Sequence, residues 1–468
     1  MNNLIDNNIM TFDKDSDTIT INPVSSSVKG SVRAIASKSH AHRLLIAAAL
    51  SEENTNIITP DTSKDIEATI GCLNSLGANI IRENGHISVK PIDTESVTTG
   101  NDSYVPADTN ESGSTLRFML PVIGALGIST SITMHGRLSE RPLSPLYEEL
   151  ISHGLTLSPQ GSNPMNISGK LTSGDYTIAG NVSSQFVTGL LLALPIVKPR
   201  NKSNHDSDFS VPVSTLHVTG RLESRPYVDI TLDVLKNSGI DVTEKHMANG
   251  DTIFYIPSGQ TYHLDENVYV DGDWSNAAFF LAAGAINTTD NPITITGLNT
   301  DSLQGDKKII TLLKEFGADI VISDDTETKG STLQNITVSP APLHGIDIDA
   351  SDIPDLVPIL SVVASAAEGT TTIRNIERLR IKESDRVETV IETLTSLGAD
   401  IHEENNAILV KGKPVLCGGT IDSYNDHRIA MSAAIASIRC ENSVIIKNPR
   451  AVDKSYPGFY DDLISILH

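Results

Sequence analysis

Six stretches of the chain are apolar on every side of a helix, and each opens on polar residues. They are Ser37–Leu50 (SKSHAHRLLIAAAL), Ser112–Leu126 (SGSTLRFMLPVIGAL), Ser183–Pro195 (SSQFVTGLLLALP), Asp273–Ile286 (DWSNAAFFLAAGAI), Asp352–Ala367 (DIPDLVPILSVVASAA) and Asp426–Ser437 (DHRIAMSAAIAS). A helix without a polar face has to be buried all round. Only its N-terminal end then reaches solvent, with unpaired N–H groups and the positive end of the helix dipole, an arrangement suited to anions. The starts recur at about 80 residues, too far apart for a solenoid but the mark of repeated units.

A second signal keeps the same period. Amphipathic patterns end at Leu76-Gly77, His153-Gly154, Ser238-Gly239, Phe316-Gly317 and Leu397-Gly398, and a strand pattern follows each. Glycine there suits a left-handed helix end. A sixth such helix, Pro457–His468, has no strand after it, and Thr18–Asn22 (TITIN) is the candidate to supply one. Residues 1–16 read as frayed, Val28–Ile35 as an extended run, and Lys198–Asp208 (KPRNKSNHDSD) as an exposed insertion. The predicted fold is α/β: two similar domains, each of three repeated βαβ-type units around buried inner helices. The expected boundaries are 37–271 for the first and 1–36 plus 272–468 for the second, with the active site in the cleft between them. Trp274, the single tryptophan, sits beside one crossing and is expected to sense closure.

Charge and cysteines narrow the chemistry. A net charge of −23 argues against nucleic acid or an anionic membrane as partner. Cys72, Cys417 and Cys440 form no CxxC motif, so neither a disulfide framework nor a zinc site is expected. The first residues lack a signal-peptide pattern, and the apolar helices are too short and polar to span a bilayer. A cytoplasmic protein is expected.

Against the negative body, cations gather at helix openings: Lys38, Arg43, Arg117 and Arg428, with Arg141, Lys382, Arg386 and Lys454 nearby. Lys38 in a first turn opposes the helix dipole unless an anion offsets it. Gly113-Ser114-Thr115 permits close backbone approach, with Arg117 one turn on. Ser183-Ser184-Gln185 reads as a capping cluster or a site. Lys382 and Arg386 read as one helix face that needs an anion between its two charges, with Glu383 about 100° round the helix. Asp352 and Asp355 read as N-caps or as acids. Singly, each has an ordinary reading as cap or solvated surface. Their recurrence at equivalent positions favours a cleft for phosphorylated or carboxylated metabolites with acid–base help from Asp355 and Glu383. No GxxxxGK[ST] or GxGxxG motif supports nucleotide chemistry.

In order along the chain, SKSHAHR, ESGSTLRF, RLSERPLSPL, NVSSQF, SRPYVDIT, DIPDLVP, RIKESDR, YNDHRIAM and VDKSYPGF resemble the 5-enolpyruvylshikimate-3-phosphate synthase family. The resemblance implies two domains of three units and transfer of enolpyruvyl from phosphoenolpyruvate to the 5-hydroxyl of shikimate 3-phosphate. It implies no metal or organic cofactor, no partner beyond these substrates, a monomer, and a target of glyphosate. By matched motif, Lys38, Ser39, Arg43, Ser183, Ser184, Gln185, Ser224, Tyr227, Asp355 and Lys382 would hold shikimate 3-phosphate. Lys38, Gly113, Arg117, Arg141, Gln185, Arg386, Arg428 and Lys454 would hold phosphoenolpyruvate. Asp355 would accept the hydroxyl proton and Glu383 supply one to the methylene carbon, with Lys38 and His427 assisting.

Three departures stand out. Glu111 replaces an Asn, Phe118 follows Arg117 where several members have Pro, and Ile35-Ala36 replaces a Pro-Gly. The first two bear on inhibitor sensitivity more than on the reaction. Rival readings are the sister transferase acting on UDP-N-acetylglucosamine, which relies on a loop cysteine not matched here, a non-catalytic phosphometabolite-binding homologue, and an RNA-end cyclase.

Overall fold

The computed structural model describes residues 9–23, 27–59, 61–83, 85–94, 104–198, 213–325 and 333–467. Most of the predicted insertion at 198–208 lies outside these. The chain divides into two compact units, Lys38–Val270 and Met1–Ser37 with Asp271–His468. Each unit has its own apolar core.

Twelve α-helices and six four-stranded sheets alternate along the described residues. The inner helices are α1 (Lys38–Ala49), α3 (Gly113–Leu126), α5 (Ser184–Ala193), α7 (Trp274–Ala285), α9 (Val357–Ser365) and α11 (His427–Ala436). Alternating with them are the outer helices α2 (Lys64–Ser75), α4 (Leu146–Ser152), α6 (Arg225–Asn237), α8 (Ile309–Phe316), α10 (Arg386–Ser396) and α12 (Phe459–Ile466). The inner helices are as dry as their sequences require: every residue of α9 and α11 is buried. Small residues allow this crowding. Pro121 leaves the Arg117 carbonyl without its helical donor, and Gly189 of α5 packs directly against that carbonyl, where a Cβ would clash.

One sheet plan repeats six times. Asp175–Ala179 runs parallel to Val213–Thr219, which pairs antiparallel with Thr252–Pro257, which pairs antiparallel with Thr243–His246. The inner helix makes the parallel crossover and the outer helix leads into the hairpin. Gly77, Gly154, Gly239, Gly317 and Gly398 all have left-handed φ, from 72° to 110°, and end the outer helices as expected.

Three sheets borrow strands from distant sequence. The sheet of the first repeat takes Asn267–Tyr269 beside Thr55–Ile58. That of the fourth takes Gly30–Arg33 beside Ile293–Leu298. The sixth takes Thr18–Ile21, paired antiparallel with Val444–Lys447, and Met10–Asp13 outside it. The predicted role of TITIN therefore holds. Of residues 1–16, expected to be frayed, 1–8 lie outside the described residues, while Met10–Asp13 form a strand in which Met10 is fully buried.

Candidate active site

The helix openings are capped much as their sequences suggest. Ser112 accepts from Thr115 N, Ser183 from Gln185 N, Asp273 from Asn276 N and Asp426 from Arg428 N. The fifth opening differs. Neither Asp352 nor Asp355 caps it; a 3₁₀ turn at Pro354–Leu356 precedes α9 without a side-chain cap. Asp355 is thereby left to other partners.

In the unit 38–270, Lys38 Nζ donates to Asp65 Oδ2 at 3.0 Å, which supplies the anion its position against the dipole requires. Ser39 offers its carbonyl to Arg43 Nη1 at 2.5 Å. Arg43 is buried, and its other bonds run to the Thr231 hydroxyl at 2.8 Å, the Thr188 hydroxyl at 3.2 Å and the Tyr227 carbonyl at 2.8 Å. Burial pulls its guanidinium down to about 9. The Phe118 ring lies 5.1 Å from that guanidinium. The unusual Phe after Arg117 thus seats Arg43 by a cation–π contact.

At the start of α3 the geometry is cationic. Arg117 Nη1 donates to the Gly113 carbonyl and Nη2 to that of Pro142, each at 3.2 Å. A Cβ on Gly113 would lie 2.5 Å from Arg141 Nη1 and 2.8 Å from Arg117 Nη1. Two guanidiniums therefore converge on one bare backbone position at a helix N-terminus, where phosphate and carboxylate bind well. Gln185 Nε2 reaches Ser114 Oγ at 3.0 Å and ties the start of α5 to that of α3. Ser184 is buried in the first turn of α5. Ser224, buried just before α6, has a left-handed φ of 53°, a strained conformation for a non-glycine residue. The Glu111 carboxyl packs against Gly136.

The other unit gathers the acids. Lys382 and Arg386 do not share a helix face: Asp385 caps α10, Arg386 is its first residue, and Lys382 is extended before it. They nevertheless meet at one anion. Lys382 Nζ donates to Asp355 Oδ1 at 3.3 Å and Arg386 Nη1 to the same atom at 2.7 Å. Arg386 is buried and also donates to Glu383 Oε2 at 2.6 Å and through Nε to Asp426 Oδ2 at 2.8 Å. Against the cost of burial, the carboxylates of Asp426, Glu383 and Asp355 hold its proton well above the usual range. Burial pulls Lys382 down, opposed by Asp355.

Arg428 donates to the Asp355 carbonyl at 2.9 Å and to Ser275 Oγ at 2.6 Å, with Nη2 3.5 Å from Asp355 Oδ2. His427 is buried, its Nδ1 3.9 Å from Asp426 Oδ1. Lys454 Nζ donates to the Asn425 carbonyl at 2.7 Å, and Tyr424 and Asn425 are both left-handed just before α11.

Sequence reasoning assigned no role to Asp65, Ser275, Asp306 or Asp426. Asp426 carried a signal, as the cap beside His427-Arg428. The other three are single residues whose partners lie 27 to 153 positions away, and no local spacing reveals them.

This repeated, inside-out α/β architecture is that of enolpyruvyl transferases. An EPSP synthase structure from Acinetobacter baumannii superposes with a TM-score of 0.75 at 23% identity, covering 96% of this chain and 98% of that one. The enolpyruvyl transferase NikO from Streptomyces tendae gives 0.70 at 17%, with the same coverage. Residues 23–463 match the model of the EPSP synthase family, 3-phosphoshikimate 1-carboxyvinyltransferase. A relative of that name from Clostridium kluyveri is 40% identical over 454 residues, 96% of this chain and 97% of its own. The chain belongs to the EPSP synthase family. It is a transferase of the shikimate pathway, which feeds aromatic amino acid biosynthesis. No helix among the described residues is long and apolar enough to cross a membrane.

Proposed function

We propose that this chain transfers the enolpyruvyl group of phosphoenolpyruvate to the 5-hydroxyl of shikimate 3-phosphate, releasing phosphate. The carrying observation is the Asp355 carboxylate, approached by Lys382, Arg386 and Arg428, with Glu383 held by the same Arg386. In this reading Asp355 accepts the hydroxyl proton as the oxygen attacks C2 of phosphoenolpyruvate. Glu383 protonates C3, which becomes a methyl group. In the second half the roles exchange: a proton leaves that methyl carbon for Glu383, the C2–O bond to phosphate breaks as Asp355 returns its proton to the departing oxygen, and the enol ether forms. No electrons are exchanged. An anion bound beside Glu383 favours its protonated form, so phosphoenolpyruvate itself prepares the acid.

Lys38, Ser39, Ser183, Ser184, Gln185, Ser224, Tyr227 and Lys382 are assigned to shikimate 3-phosphate. Gly113, Arg141, Arg386, Arg428 and Lys454 are assigned to phosphoenolpyruvate together with Lys38 and Gln185. The internal bonds of Arg43 and Arg117 support a second task for them, shaping α1 and α3 for the residues around them. His427 assists from the first turn of α11. We place this enzyme in the cytoplasm as a monomer. Phosphate release with phosphoenolpyruvate and either shikimate 3-phosphate or UDP-N-acetylglucosamine tests the reading. Turnover with the first acceptor alone is expected, and turnover with the second overturns it.

A further inference from the structure

Asp306 is a buried carboxylic acid to which none of the roles above extends. It lies in the 3₁₀ turn Gly305–Lys308 that leads into α8, and it is 3% exposed. Its Oδ2 accepts from Ser275 Oγ, while its Oδ1 has no hydrogen-bond partner among the described residues. The neighbouring Gln304 accepts from Trp274 N at 3.1 Å and donates to the Gly272 carbonyl at 2.8 Å. The 304–306 segment therefore braces the first turn of α7.

Ser275 Oγ has one proton to give. Given to Asp306, it leaves the oxygen's lone pairs to Arg428 Nη2 at 2.6 Å. Without an acceptor at 306, the hydroxyl is free to turn that proton toward the guanidinium, donor against donor. We infer that Asp306 is a positioning residue for phosphoenolpyruvate binding: it fixes the Ser275 hydroxyl as an acceptor and so orients the Arg428 guanidinium against Asp355. This rests on the assignment of Arg428 to phosphoenolpyruvate. The charges that act on Asp306 agree with such a coupled cluster: Asp355 and Asp273 raise its pKa and Arg428 lowers it, while burial, the largest influence, brings it to about 6.

Steady-state kinetics of the whole enzyme decide the matter. Asp306→Ala and Ser275→Ala are each expected to raise KM for phosphoenolpyruvate about 10-fold, the effect of losing one buried hydrogen-bond partner. KM for shikimate 3-phosphate should hold, and kcat should change little, because the lost interaction is a binding one. The double variant should be no worse than the poorer single one, since both act through Arg428. Asp306→Asn keeps an acceptor for Ser275 and should restore most of the affinity. The inference is overturned by an unchanged KM for phosphoenolpyruvate in Asp306→Ala, by equal rises for both substrates, or by additive effects in the double variant. If Asp306→Ala does not fold, Ser275→Ala and Asp306→Asn carry the same decision. Arg428→Lys separates the two levels. A raised KM for phosphoenolpyruvate there with a normal Asp306→Ala defeats this inference alone. An unchanged KM in Arg428→Lys defeats the assignment of Arg428, and this inference with it.

Discussion

At the scale of single residues, the site is a set of charges whose positions are fixed by other charges. Asp355→Asn and Glu383→Gln should each lower kcat by ~10²–10⁴, the range for a positioned acid or base, with substrate affinities changed far less. Near-normal kcat at saturating substrates in either variant would refute its role. Gly113→Ala places a methyl group against the Arg141 and Arg117 guanidiniums. Both must shift, and KM for phosphoenolpyruvate should rise about 10-fold, as overpacking of ~1–3 kcal/mol implies, while that for shikimate 3-phosphate stays. Asp306 predicts a pH effect on stability. Its pKa rises from 3.8 unfolded to about 6 folded. The folded state therefore binds more protons between those values, and stability falls as pH rises through that window. Asp306→Asn removes the cost, so its thermal midpoint should exceed wild type at pH 8 and match it at pH 4. Equal gains at both pH values would show that the charge is not responsible. The cationic helix openings were legible because they recur in register with the apolar repeat. Asp355 and Glu383 were legible with them, but Asp65 and Asp306 were not, since they gain meaning from partners 27 and 31 residues distant.

At the scale of elements, helix type and order follow from pattern, while starts and caps follow from local competition. Lys382 and Arg386 have the spacing of one helical turn, yet Asp385 takes the N-terminal N–H groups of Val387 and Glu388 and starts α10 after Lys382. The two cations still meet, because Asp355 sits in the middle of a proline-led 3₁₀ turn that has no side-chain cap, and its carboxylate accepts from both. Trp274 opens α7 as expected; it is fully buried, and its Nε1 donates to the Asn299 carbonyl at 2.9 Å. Arg386 joins the start of α10, the start of α11 and the Asp355 turn through three carboxylates. Arg386→Met would leave the fully buried Asp426 carboxylate without its main counter-charge. Destabilisation of ~3–5 kcal/mol is expected, read as a lower urea midpoint for the unit that contains it. A midpoint within error of wild type would reduce Arg386 to a ligand-binding role.

At the scale of the whole molecule, the six-fold repeat was legible because every inner helix lacks a polar face and every outer helix but the last ends at Gly. The exchange of edge strands was less legible, since four-residue segments such as GSVR carry little pattern. The borrowed strands also impose an order of assembly on the ribosome. The sheet of the sixth repeat needs Thr18–Ile21 beside Val444–Lys447, strands far apart in the chain. Residues 38–270 form a contiguous unit with its own core and are free to fold while the rest is still being made. Met10–Asp13 and Thr18–Ile21 can pair with each other early, but their sheet is completed only when Val444–Lys447 arrives, a long-range closure of the slow kind. During that interval the nascent chain carries the apolar edge of Ile19 and Ile21 uncovered, and there a chaperone has its opening.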